Sequence, residues 1–247
     1  MPRGYSMHLV IDPDPHATRW RGYLGPGLAV FATPCVTYQD LWRRKLAEPY
    51  SANRLFAAFL DATTMRFDGA RGDLDPEAMR SHVIDAARDA FARFPDARAA
   101  GIGTMTLTVV LALHGCSRLG LVHIGAAVAL RIDTAGDVSQ VMKPHSPLYG
   151  SDTLADEAAT FFASVSTAML EPRMSQADEV RVAQVELQPN EWLVVAPGSS
   201  AVTDLNLPAP PSSINEIERE VIGRLAAPYA AYPRSWLAIS ARDVDGS

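Results

Sequence analysis

Cysteine is nearly absent. Cys35 and Cys116 are the only two in 247 residues, each among apolar or small neighbours, which leaves no disulfide framework and no thiolate cage for a metal. A reducing, cytoplasmic setting is expected. Positive charge is also scarce: 22 Lys and Arg face 28 Asp and Glu, a net charge of -6. That is the wrong sign for a protein whose task is gripping phosphate backbones, so nucleic acid is not an expected partner. Long apolar runs are missing too. The chain opens Met1-Pro2-Arg3-Gly4-Tyr5 and meets Asp12 and Asp14 within a dozen residues, so neither a signal peptide nor a membrane span is expected. The six histidines (His8, His16, His82, His114, His123 and His145) include no pair spaced for one metal. Apolar residues, in contrast, make up 48% of the chain, enough at this length to bury a substantial core without staples. With roughly 150 residues per domain as a guide, the length allows one large domain or two small ones, and a single domain over 1–247 is expected.

Apolar runs at Met7 to Ile11 and Leu28 to Ala32 predict two short strands, separated by the loop around Asp12-Pro13-Asp14-Pro15. Leu55, Phe56, Phe59 and Leu60 recur at helical spacing from Ser51, a plausible N-cap, to about Phe67. Asp75-Pro76 starts a second helix, whose face of Met79, Val83, Ala86, Ala87, Ala90, Phe91 and Phe94 runs to Pro95. Four strands follow at Met105 to Leu113, Arg118 to Ile124, Ala127 to Ile132 and Val138 to Met142. The links at 114–117, Gly125 and 134–137 read as hairpin turns of a four-stranded antiparallel meander. A helix is expected from Asp152 to about Leu170, strands at Val180 to Leu187 and Trp192 to Ala196, a helix from Ile214 to about Leu225, and a last strand at Ser235 to Ser240. Leu207-Pro208-Ala209-Pro210-Pro211 reads as a surface loop. Strands and helices that are not arranged as βαβ repeats predict an α+β domain, two packed antiparallel sheets with helices outside.

Several short patterns carry candidate chemistry. His123, inside an apolar strand, reads as a hydrogen-bonded core residue. Gly115-Cys116-Ser117-Arg118-Leu119-Gly120 misses the nucleophile-elbow spacing by one and reads as a turn. Backbone amides of Gly198-Ser199-Ser200 could form an anion nest, although a plain turn accounts for the same residues. Cys35 follows Pro34 with no adjacent cation to lower its pKa. Arg43-Arg44-Lys45 after Trp42, and Arg19 and Arg21 flanking Trp20, could touch phosphate, but both read first as solvated surface.

Over roughly residues 101 to 240, four ordered segments resemble the metal-dependent protein phosphatase family of the protein phosphatase 2C type. Gly101-Ile102-Gly103-Thr104-Met105-Thr106 is similar to its Gly-x-Gly-Thr-Thr strand entry. Residues 121–130, from Leu121 through His123, Gly125 and Ala126, resemble its histidine-hydrophobic-Gly-Asp-Ser-Arg hairpin. Residues 136–146, ending Lys143-Pro144-His145-Ser146, resemble its Asp-His-Ser continuation. Gln188 through Trp192 to Pro197-Gly198 resembles its late strand ending in Asp-Gly. The resemblance implies a four-layer α-β-β-α sandwich and, in the family, two Mg²⁺ or Mn²⁺ ions held by aspartates, with a metal-bridging hydroxide attacking phosphoserine or phosphothreonine.

At the four positions where the resemblance expects a carboxylate, this chain has none. The first Asp-Gly reads Thr33-Pro34, the hairpin Gly-Asp reads Gly125-Ala126, the late Asp-Gly reads Pro197-Gly198, and the closing Asp-Asn reads Ser235-Trp236. Hard divalent cations need anionic oxygen ligands, so the resemblance implies a degenerate member: a pseudophosphatase without bound metal, binding a protein partner such as a kinase or a phosphoprotein. Two alternatives stand beside it. One is residual Mg²⁺- or Mn²⁺-dependent phosphatase activity through Asp40, Asp68, Asp204 or Asp243. The other is a phosphate or small-ligand sensor that uses the Gly125 and Gly198 amides.

Overall fold

A computed structural model describes residues 4–11, 20–35, 52–67, 75–95, 103–112, 118–125, 127–145, 169–197, 205, 207–226 and 235–242. In chain order the strands are β1 (Gly4–Val10), β2 (Arg21–Gly25), β3 (Leu28–Cys35), β4 (Thr104–Ala112), β5 (Leu119–Ile124), β6 (Ala127–Ile132), β7 (Val138–Met142), β8 (Arg181–Val185), β9 (Trp192–Pro197) and β10 (Trp236–Arg242). Helices α1 (Ala52–Phe67) and α2 (Pro76–Ala92) lie between β3 and β4. A third, α3, lies between β9 and β10. It runs through Ile214–Glu216, a π-helical stretch Ile217–Ile222 and Gly223–Ala226.

The strands form two five-stranded antiparallel sheets, β1-β10-β9-β6-β7 and β2-β3-β4-β5-β8. Side-chain alternation along each strand sorts the apolar residues into three layers. Ala29, Phe31, Val110, Leu119 and Leu121 of one sheet meet Ala127, Ala129, Leu193, Val195, Leu237 and Ile239 of the other between the sheets. The opposite face of the β2-β3-β4-β5-β8 sheet, including Val30, Leu107, Val109 and Val122, packs under α1 and α2. The opposite face of the other sheet, including Val128, Leu130, Val194 and Trp236, packs under Ile217, Val221, Ile222 and Leu225 of α3. The architecture is α+β with helices outside both sheets, as expected.

Local chemistry explains most boundaries. Asp75 caps α2 by accepting from Ala78 N–H at 2.9 Å, with Pro76 at the first helical position and Met79, Val83, Ala86, Ala87, Ala90 and Phe91 buried. Arg93 pairs with Asp61 at 3.0 Å and Arg66 with Asp89, tying α1 to α2. These pairs are exposed and contribute little. Ser213 caps α3 by accepting from Glu216 N–H. Asp133 Oδ1 accepts from Ala135 N–H and Asp137 N–H, and Gly136 at φ +90 completes the β6–β7 turn at the expected place. The stretch Leu207 to Pro211 carries no regular element, as expected of a loop.

Two expectations require correction. Among the described residues of the first fifty there are three strands rather than two. Arg21–Gly25 pairs with Leu28–Ala32 across the two-residue Pro26-Gly27 link, where Gly27 takes φ +71. The four central strands are not one meander. β4 and β5 belong to one sheet and β6 and β7 to the other, so the chain crosses between sheets at Gly125, whose φ of +118 is open to glycine. Ser51, Arg19, Arg43, Arg44, Lys45, Cys116, the helix expected at 152–170 up to residue 168, and the Gly198-Ser199-Ser200 turn lie outside the described residues. Among the described residues, no helix is long and apolar enough to cross a membrane.

Candidate functional site

The register of the strands brings the sequence-marked positions to one end of the inter-sheet space. On β3, Thr33 has the same facing as Ala29 and Phe31, and it pairs with Thr106 of β4. Thr104, Thr106 and Thr108 alternate along β4 on the inner face that Val110 continues. Thr108 pairs with His123 of β5, which shares its facing with Leu119 and Leu121. In the other sheet, Ala127 pairs with Pro197, and Leu237 pairs with Val195. Two residues back along β10 from Leu237 lies Ser235, fully buried on the same inner side. Gly125 joins the two halves, and a Cβ there would lie 2.2 Å from the Thr106 Cβ. Trp236 faces the α3 layer instead, with Nε1 buried and without a hydrogen-bond partner. Pro34 pairs with Met105 in β3. Ala126 and Gly198 lie outside the described residues, each next to a described one, Ala127 and Pro197.

This end of the sandwich is polar, buried and uncharged on its threonine ladder. The Thr108 hydroxyl and His123 Nδ1 share a hydrogen bond of 2.9 Å. His123 stacks on His145, with ring centroids 5.6 Å apart and planes 20° apart. His145 follows β7, and its Nδ1 accepts from Gly125 N–H at 3.1 Å. The buried Thr33 Oγ1 and His123 Nε2 have no hydrogen-bond partner. Burial, then the positive charge that His145 and Arg181 would set beside it, pushes the His123 pKa down to about 3, against a weaker opposing effect of the Gly125 and Lys143 backbone. The His145 pKa is also lowered, chiefly by burial and then by Arg181, while the Gly125 and Glu179 backbone carbonyls and the Glu179 carboxylate act the other way. Both imidazoles are neutral at pH 7. The expectation that His123 is a hydrogen-bonded core residue holds for Nδ1.

Trp20 is the residue whose role sequence reasoning missed. Arg21 pairs with Ala32, so Trp20 arrives beside Thr33, and its indole stacks on Phe31 at 4.2 Å and 8°. It is buried between the sheets. Its neighbour Arg21 gives Nε to Asn53 Oδ1 of α1 at 2.7 Å and Nη1 to the Trp20 carbonyl. Arg21 thus ties β2 to α1. Alternation would have revealed Trp20 only once β2 was recognised as a strand.

A pair of Mg²⁺ or Mn²⁺ ions does not fit these residues. Thr33, Pro197 and Ser235 supply no carboxylate, and two neutral imidazoles are poor company for hard cations. Among the described residues, no group of three or more His, Cys, Asp or Glu is placed to hold a metal ion. Glu191 is the only acid in the described buried set, and it lies just before β9, about 20 Å along the chain from the Ala127–Pro197 pair. It is fully engaged, holding Arg131 Nη2 at 2.7 and 2.9 Å and accepting Gln188 N–H at 2.8 Å. The nearer Glu179 carboxylate stands 4.0 Å from His145 Nε2 and is more than half exposed.

No protein-family model and no curated protein sequence matches the chain. Solved structures do. The catalytic domain of the serine/threonine protein phosphatase PstP in complex with two manganese ions superposes with a TM-score of 0.61 at 16% identity, over 98% of this chain and 99% of that one. PppA, described as a key regulatory component of T6SS in Pseudomonas aeruginosa, gives 0.61 at 14% identity over 98% and 99%. Stp1, a serine/threonine phosphatase from Staphylococcus aureus, gives 0.64 at 11% identity over 98% and 96%. The likeness spans the whole length of both partners in each case, and the two-sheet architecture with outer helices is common to them. The chain has the fold of the PPM-type, protein phosphatase 2C-like serine/threonine phosphatases.

Proposed function

We propose that this protein is a pseudophosphatase: a PPM-fold module that binds a protein partner, such as a kinase or a phosphoprotein, in the cytoplasm and does not hydrolyse phosphate esters. One observation carries the reading. The positions at which the resemblance expects a carboxylate read Thr33, Ala126, Pro197 and Ser235, and the register of Thr33 and Pro197 at one end of the inter-sheet space supports treating them as one group. Removing four carboxylates takes away the charge that draws a divalent ion out of water. Their absence also removes the like-charge repulsion that would burden such a cluster without metal. A fold relation alone does not fix function, and it is the chemistry of these side chains that supports the reading.

Calorimetric titration with Mn²⁺, run beside hydrolysis of an aryl phosphate, tests the proposal. The expected result is no saturable binding in the micromolar range and no metal-dependent turnover. Micromolar binding accompanied by turnover refutes it and returns the protein to the catalytic class. Capture of partners from lysate before and after phosphatase treatment then separates recognition of a phosphorylated partner, which treatment abolishes, from scaffolding, which survives it.

A further inference from the structure

Gly125 and His145 are joined twice. The His145 backbone N–H donates to the Gly125 carbonyl at 2.6 Å, and the Gly125 N–H donates to His145 Nδ1 at 3.1 Å. The second bond carries a chemical condition, because a ring nitrogen accepts only while it has no proton. Protonating the imidazole sets a donor against a donor where both are buried, which is costly. Gly125 is also the residue at which the chain crosses from one sheet to the other, immediately before Ala126. The bond therefore fixes the crossover at the mouth of the candidate site.

The surroundings of the ring come from four segments. His123 of β5 stacks against it, and Arg181 of β8 lies close enough to oppose its protonation. The Glu179 carboxylate, just before β8, lies 4.0 Å from Nε2. Lys143, at the exit of β7, gives its carbonyl to Arg181 Nη1 at 3.1 Å and leaves its own side chain exposed. Among the described residues the one anion beside the ring, Glu179, is more than half in solvent, while the opposing cation, Arg181, is held on β8 and the ring itself is buried.

We propose that the hydrogen bond between Gly125 N–H and His145 Nδ1 is a proton-sensitive latch, closed while the ring is neutral and released on acidification to free the β5–β6 crossover. The latch does not depend on whether the site is catalytic. Once released, His145 regains an ordinary affinity for protons, so the balance of closed to open forms is constant above about pH 6.5. Below that it falls by up to tenfold per pH unit for a single linked proton, until the ring titrates in the closed form.

Hydrogen exchange at the Gly125 amide, followed by NMR on the whole chain and normalised to the intrinsic rate, tests the latch. In the wild type, protection is expected to agree within about twofold between about pH 7.5 and 6.5 and to fall by up to tenfold by about pH 5.5. Amides of β10 should hold their protection. His145→Asn presents a non-titrating oxygen to the same N–H, and its Gly125 protection is expected to be flat over this range. A flat wild-type profile, an equal loss in His145→Asn, or an equal loss at β10 overturns the proposal. If His145→Asn does not fold, the ¹⁵N shift of wild-type Nδ1 decides the matter. An unprotonated Nδ1 at about pH 7.5, titrating with the same midpoint as the loss of Gly125 protection, supports the latch. A protonated Nδ1 or a different midpoint overturns it.

Discussion

Acid should unfold this protein through His123 in a way that one substitution removes. The ring is fully buried, its Nδ1 is held by the Thr108 hydroxyl and its Nε2 has no partner. Its pKa is pushed down to about 3 in the fold, first by burial. In the unfolded chain it returns to about 6.5. The unfolded state thus binds this proton first as the pH falls. The contribution of the neutral ring is complete above about 6.5 and is lost progressively between 6.5 and 3. Moving from about pH 7.5 to about pH 5.0 enters that window by 1.5 units, at 1.36 kcal/mol per unit, or about 2 kcal/mol. In a domain of this size that corresponds to about 4–8 °C in Tm. His123→Asn keeps a polar group for Thr108 and does not titrate. Carboxylates elsewhere respond to acid in both proteins, so the informative quantity is the difference between the two pH responses. Urea titrations at both pH values should show the wild type losing about 2 kcal/mol more than His123→Asn, whatever baseline cost the smaller side chain imposes. Equal losses would refute the assignment of a buried neutral ring to His123.

Three further substitutions probe the sandwich. Gly125→Ala combines a φ of +118 with a Cβ only 2.2 Å from that of Thr106, so it should cost about 2–4 kcal/mol from strain and overpacking together, read as a shift in urea midpoint at constant m. Gly120→Ala in β5, the strand that leads to Gly125, meets the flexible Met79 thioether as its obstacle and should cost clearly less, and the reverse order would contradict the geometry. Glu191→Ala strips Arg131 of a two-pronged partner and leaves the Gln188 N–H bare. The arginine is partly exposed and can recover hydration, so about 1–3 kcal/mol is expected rather than the full cost of a stranded buried charge. A circular-dichroism melt with no change in Tm would show the pair to be idle.

The layering was legible because apolar periodicity reports burial. The α2 face from Met79 to Phe91 could be read residue by residue, and the Asp75-Pro76 start was fixed by cap chemistry. Gly125 was legible as a turn but not as a crossing between sheets. The strands on either side, Leu119–Ile124 and Ala127–Ile132, are covered on both faces and look alike whichever sheet they join. β2 escaped because Arg-Gly-Tyr-Leu-Gly has two glycines and no alternation, and its pairing is imposed by the Pro26-Gly27 turn and by β3. With β2 unseen, Trp20 had no strand to place it. Thr33, Pro197 and Ser235 were marked by resemblance alone, and the register puts all three on the inner face at one end. His145 carried no local signal for its bond to Gly125, since a contact across 20 residues depends on β6–β7 pairing.

Glu191 also indicates what a buried acid requires in this sandwich. Its single carboxylate is balanced by a two-pronged arginine and a backbone N–H. Four carboxylates at the opposite end would need comparable compensation, and in a metal-bound phosphatase the ions provide it. Near His123 and His145 the described cations are Arg181, already hydrogen-bonded to the Lys143 carbonyl, and the exposed Lys143 itself. A metal-free end can therefore be stable only if it is close to neutral. Threonines, a serine, a proline and two uncharged imidazoles meet that condition, and the Trp20 indole on Phe31 fills the space beside them. The residual cost includes the dry Thr33 Oγ1 and His123 Nε2, at about 1–3 kcal/mol each. That cost is far below the charge penalty of an uncompensated acid cluster. Side chains without a carboxylate at this end thus let the fold stand without bound ions, because there is no buried charge for an ion to compensate.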